Sequence, residues 1–135
     1  MVSPPGLHVT GPDRALREKS WSHVRDLVDL CAELAGARPS PRVMVFGSPK
    51  QRCTTGGLNR AEATRNFVEG LAGVAPHALA REVIILVEAL PPGQCDVINS
   101  LEEAAAIVRE INLPSVQTMF DTHNAVDETE PHAVL

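Results

Sequence analysis

Three short segments are dense in apolar residues, many of them branched: residues 43–46, 83–87 and 116–120. The middle one, V-I-I-L-V, is continuous rather than alternating. A strand that is apolar on both faces has to be covered on both, which predicts a parallel sheet or barrel. Elsewhere apolar residues return at every third or fourth position. Leu16, Val24, Leu27, Cys31 and Leu34 make one stripe across residues 13–34 and predict an amphipathic helix. Asn59 followed by Glu62 marks a second helix start, continued by Ala63, Phe67, Leu71, Val74 and Ala78. Ser100 with Glu103 reads as a capping box leading into Ala104, Ile107, Val108 and Ile111. Pro114 ends that helix, because it has no N–H to continue the ladder.

The order is therefore helix, strand, helix, strand, helix, strand. The strands start at 43, 83 and 116, which is 40 and 33 residues apart, the size of a βαβ unit. Strands separated by helices in this way are parallel, with right-handed crossovers. The class is α/β, with residues 1–135 forming one domain. Both ends look cut. The acids and proline of residues 127–131 are a helix-start signal with barely one turn of chain after it. Residues 2–6 resemble a loop leaving a strand. The expectation is a piece of a larger fold, or a fold that completes itself as a homodimer through bare sheet edges.

Composition narrows the function classes. The chain has 135 residues, 44% hydrophobic and 21% charged, which is ordinary for a folded domain. Lys and Arg total 12 against 17 Asp and Glu, a net charge of -5, and no basic run is present. A nucleic-acid partner is therefore not expected, because coating a phosphate backbone needs a positive face. No apolar stretch approaches the ~20 residues of a membrane span, and none follows a charged start as a signal peptide's would. Cys31, Cys53 and Cys95 are odd in number and widely spaced, which reads as reduced thiols in the cytoplasm rather than a disulfide frame or zinc site. Ten of the basic residues are Arg and two are Lys, and Ala, Val, Pro and Gly abound, as in GC-rich bacterial coding.

In α/β folds ligands gather at the carboxyl ends of parallel strands. Glu88 and Asp121 each directly follow an apolar run, at the same end of two sequential strands. A carboxylate at the rim of a core is costly unless paired, hydrogen-bonded or metal-bound. Two converging carboxylates suit a hard divalent cation such as Mg²⁺ or Mn²⁺; alternatively, each caps a helix start or pairs with Lys50 or Arg52. His123 is a candidate ligand, proton shuttle or substrate donor, or else an ordinary loop residue. Lys50 and Arg52 lie on the glycine-containing loop after the first strand, where they could hold an anionic or polyhydroxylated substrate. Gly56 and Gly57 before the Asn59 helix start could cradle a phosphate, although the loop is not a P-loop. His8, His23, His77 and His132 show no ligand spacing with one another. Trp21 reads as a packing residue, and no serine sits in a hydrolase elbow.

Three blocks, V-M-V-F-G-S-P-K-Q-R at 43–52, L-V-E-A-L-P at 86–91 with V-I-N-S at 97–100, and M-F-D-T-H-N at 119–124, resemble the sugar phosphate isomerase/epimerase family. This is the xylose-isomerase-like TIM barrel superfamily, which also holds ketose 3-epimerases, inosose dehydratases and metal-dependent apurinic endonucleases. The resemblance implies a (β/α)8 barrel, which needs about 250 residues, so this chain would be a partial barrel of about half of it. It implies one divalent ion, Mn²⁺, Mg²⁺ or Co²⁺, held by a Glu, an Asp, a His and a second Glu, with the first Glu at Glu88 and the Asp at Asp121. It implies a sugar or ketose substrate isomerised or epimerised through an enediolate, with Glu88 as both ligand and acid/base. His123 and Gln94 would be substrate contacts, His123 standing one residue short of the family's usual spacing. The other His and Glu fall past Leu135, so the isolated chain is expected to have little or no activity. A related dehydratase or apurinic endonuclease, or a half-barrel assembly module without catalysis, are the alternatives.

Overall fold

The computed structural model describes residues 3–36 and 41–124. The helix-start signal at 127–131, His132 and Val2 lie outside the described residues. Helix α1 (Arg14–Ala35) begins where the Asp13 carboxylate accepts the Leu16 N–H at 3.1 Å, and it ends at Gly36, whose φ of 57° favours glycine. Strand β1 (Arg42–Phe46) follows, then a single turn, α2 (Pro49–Arg52), and the long helix α3 (Arg60–Ala80). Strand β2 (Val83–Val87), helix α4 (Leu101–Ile111) and strand β3 (Val116–Thr118) complete the order.

The three strands form one parallel sheet in the order β1-β2-β3. Register puts Val45 opposite Leu86, and Leu86 opposite Gln117. Met44 and Phe46 of β1 and Val83, Ile85 and Val87 of β2 are buried in one core with α1, α3 and α4. Its centre is aromatic. Trp21, Phe46 and Phe67 stand 5.3 to 5.6 Å apart between ring centroids, the Phe pair edge to face. Leu71, Val74 and Ala78 of α3 are fully buried around them, as the helical stripe predicts, and so is Ala75. The Trp21 indole lies so close over Gly70 that a methyl group there would overlap the ring.

The opposite sheet face differs from expectation. Val43, Val45, Ile84 and Leu86 point to it and none is fully buried, Val43 being 46% exposed. The continuous run of β2 is thus covered by helices on one face and only partly covered on the other. Two further differences are local. β3 stops at Thr118 instead of Phe120: the Thr118 hydroxyl donates to the Val87 carbonyl at 2.8 Å, and the chain turns over 121–124. Asn59 and Glu62 make the reciprocal capping box, each side chain bonded to the other's backbone N–H at 2.9 Å. At α4 the Ser100 hydroxyl caps the Glu103 N–H, but the Glu103 carboxylate accepts from Asn99 N–H and the Arg60 guanidinium instead.

Candidate metal-binding and proton-transfer site

Glu88 is the first residue beyond β2, and its N–H still donates to the Phe46 carbonyl at 3.2 Å. This last rung fixes the Glu88 backbone at the carboxyl rim. Asp121 stands just past β3 in the 121–124 turn, where its Oδ1 accepts the His123 N–H at 2.8 Å. Asn124 joins the two acids. Its Nδ2 donates to Glu88 Oε1 at 3.0 Å and to Asp121 Oδ2 at 3.1 Å. One amide thus holds two carboxylates side by side, as the strand-end reading expects. On the other flank Gly47 leaves room for Glu88, since a methyl at position 47 would overlap Glu88 Oε2.

The electrostatics follow from this crowding. Partial burial raises the Glu88 pKa above the ordinary carboxylate range, and the hydrogen bond and charge of Asp121 raise it further, while the Arg52 charge opposes them. Because the folded-state pKa is raised, Glu88 holds its proton in the folded chain where the unfolded chain has already lost it. Stability therefore falls as pH rises from the ordinary glutamate range through the raised folded pKa. Denaturation followed across that window should show the decline, and Asp121→Asn should flatten it; an equal slope in both chains would break the link between the two acids. A pair of oxygen ligands that repel one another in the absence of a cation is chemically suited to a hard divalent ion. The donor set fits.

Arg52 is not a free loop cation. α2, unforeseen because one turn carries no readable periodicity, starts at Ser48 with φ 46° and Pro49, and turns Arg52 inward until it is 0% exposed. Its Nη1 donates to the Glu88 carbonyl at 2.8 Å and to the Phe46 carbonyl at 3.4 Å, and the guanidinium sits 5.9 Å from the Phe67 ring centroid. It braces the backbone beneath Glu88 rather than reaching for substrate, and it bonds the carbonyl, not the carboxylate. Lys50, on the same turn, is exposed. Gln94 is exposed in the turn after β2, with its backbone N–H bonded to the Pro91 carbonyl. His123 is exposed and enters the site through its backbone N–H. The start of α3 is no phosphate cradle, because Asn59 and the acidic Glu62 already occupy its first turn.

Two residues of the site, Asn124 and Gly47, are absent from the strand-end reading of the sequence. Asn124 lies three residues after Asp121 in a turn, a position from which an amide can fold back on the acid, and this signal is readable. The need for glycine at position 47 depends on where Glu88 points, which only the folded chain reveals.

The family model for the xylose isomerase-like TIM barrel matches residues 1–134. No curated protein matches the chain in sequence. Among solved structures, protein SMc04130 from Sinorhizobium meliloti 1021 is 28% identical with a TM-score of 0.80, over 96% of this chain and 45% of that one. D-psicose 3-epimerase from Clostridium cellulolyticum H10, solved with D-tagatose, is 18% identical with a TM-score of 0.76, over 95% of this chain and 44% of that one. A xylose isomerase-like TIM barrel protein from Mycobacterium smegmatis, solved with magnesium, is 18% identical with a TM-score of 0.61, over 90% of this chain and 42% of that one. This chain thus spans under half the length of these structures. Its three parallel strands and alternating helices form an arc of the same architecture, with Glu88 and Asp121 at the carboxyl rim. The chain belongs to the xylose isomerase-like TIM barrel family and forms part of one such barrel.

Proposed function

We propose that this chain is the part of a sugar isomerase or epimerase that supplies two ligands of a divalent ion and one acid/base group. The observation that carries the reading is the Glu88–Asn124–Asp121 arrangement, two carboxylates held by one amide at the strand ends. Glu88 and Asp121 would hold Mn²⁺, Mg²⁺ or Co²⁺. When bound, the ion supplies positive charge that gathers neighbouring oxygens of a small sugar, ketose or sugar phosphate and offsets the negative charge of its enediolate form.

The remaining steps fall to this chain's own residues. Glu88, with its raised proton affinity, is suited to take a proton from a substrate carbon or to return one. Asn124 keeps the two acids in register, and Asp121 anchors the ion side. Arg52 holds the Glu88 backbone in place from below, which fixes where the acid stands when it exchanges a proton. Lys50, Gln94 and His123, all exposed near these loops, remain candidates for the substrate's hydroxyl or phosphate groups. The chain carries two of the four ligands that the family resemblance implies, so its own turnover is expected to be at background.

Calorimetric titration with Mn²⁺, in the presence and absence of a ketose such as D-tagatose, tests the reading. Mn²⁺ should bind at one site, and the ketose should tighten it. Absence of Mn²⁺ binding to the folded chain would sink the proposal. Deuterium exchange into the ketose above background would overturn the expected inactivity.

A further inference from the structure

Apart from the two acids, the turn that ends α2 and the loop after β2 bring three donors together. Cys53 Sγ, Cys95 Sγ and a carboxylate oxygen of Asp96 all lie within 4.8 Å of one another. They grade from Cys95, 2% exposed, through half-buried Cys53 to the exposed Asp96, so the cluster has a sulfur floor and an open carboxylate rim. The carboxylate is already aimed: Asp96 Oδ1 accepts the Thr54 N–H at 2.8 Å, and the Thr54 hydroxyl donates to Oδ2. Cys53 is held by its position as the cap of α2, its thiol donating to the Pro49 carbonyl at 2.9 Å.

A second, independent observation lies underneath. Arg52 is fully buried, and among the described residues its Nε and Nη2 have no hydrogen-bond partner. Cys95 stands close enough to the guanidinium to interact with it directly. Buried open donors on a cation call for a negative acceptor. The Cys95 sulfur is the acceptor the fold places beside them.

We propose that Cys53, Cys95 and Asp96 form a second cation site, separate from Glu88 and Asp121, that takes one thiophilic divalent ion of the zinc class. Two thiolates and a carboxylate carry three negative charges, which the ion and the Arg52 guanidinium together neutralise. Sulfur ligands select a softer ion than the all-oxygen pair of Glu88 and Asp121, so the two sites sort metals by chemistry. Tetrahedral zinc bonds of ~2.3 Å to sulfur place two thiolates ~3.8 Å apart, so the two sulfurs need to close by at most about 1 Å. Three protein ligands leave the fourth position open to water on the Asp96 side, which also gives the ion its way in. Because each thiol has to lose its proton to ligate, ion binding displaces protons and tightens as pH rises. The bound ion would tie the turn after β1 to the loop after β2.

The fully reduced chain titrated with Co²⁺, and separately with Cd²⁺, provides the test. A thiolate-to-metal charge-transfer band should saturate at a single equivalent. Cys53→Ser, at a half-buried position that tolerates the change, should weaken binding at least ~100-fold, because it removes a ligand outright. Thr54→Val, which keeps the ligands but loses the hydroxyl aimed at Asp96, should weaken it roughly 10-fold. The band should persist in Cys31→Ser and in Glu88→Gln, and its survival in the latter separates this site from the isomerase reading. A folded, reduced chain without the band, a band that Cys53→Ser leaves intact, or a Cys53–Cys95 disulfide forming under the same reducing conditions would overturn the proposal.

Discussion

Mn²⁺ is expected to raise the melting temperature of the parent chain, and Glu88→Gln to abolish that rise while leaving the metal-free melt unchanged or slightly raised. The second half follows from charge. In the parent, burial and Asp121 both work against an ionised Glu88, and a neutral amide removes that repulsion. Asn124 can still donate to the carbonyl oxygen of the new amide where it now donates to Oε1, so the turn should hold. The first half follows from linkage. An ion present at a hundredfold excess over its dissociation constant stabilises the folded state by about 2.7 kcal/mol, on the order of 10 °C for a domain of this size. Removing one of two charged ligands should erase most of that shift. Scanning calorimetry on both chains, with and without Mn²⁺, reads it directly. A variant that keeps the full shift would place the ion somewhere other than the strand-end acids.

Phe67→Ala should cost about 3–5 kcal/mol, the usual loss for a fully buried aromatic replaced by a methyl group. The ring is 0% exposed, packs edge to face on both Trp21 and Phe46, and lies under the Arg52 guanidinium. Three neighbours on three elements would lose a wall at once, and none can swing far enough to refill it. Urea denaturation should show the loss. Leu79→Ala on the same helix, where the side chain is 45% exposed, should stay within ~0.5 kcal/mol of the parent. A Phe67→Ala loss below about 1 kcal/mol would mean that the aromatic centre re-forms around the gap.

Much of this architecture is legible in the chain because it rests on local signals. The stripe through Phe67, Leu71 and Val74 and the acceptor side chains at Asp13, Asn59 and Ser100 fix the helices to within a residue or two. The two acids can be paired because a parallel topology sends every strand end to one rim. What escapes is what depends on direction rather than spacing. Arg52 looks like any loop cation in the sequence, yet one helical turn begun by Ser48 and Pro49 carries it into the core. Cys53 and Cys95 are separated by two elements in the chain and meet only because adjacent parallel strands bring their exit loops side by side. The apolar pattern overstates β3 because it continues through Phe120 after strand pairing has ended; Phe120 is 37% exposed.

Two of the crowded glycines, Gly47 and Gly70, divide tolerance to mutation in a way neither composition nor burial would suggest. At position 70 the obstacle is a rigid indole, wedged between Phe46 and Phe67, that has nowhere to go. At position 47 it is the far end of the flexible Glu88 side chain, which can turn aside at little cost to folding. In a library of variants scored separately for cellular abundance and for metal retention, substitutions at Gly70 should therefore thin out the first score. Those at Gly47 should pass it untouched and vanish from the second, marking the strand end where the protein's tolerance is limited by its chemistry and not by its fold.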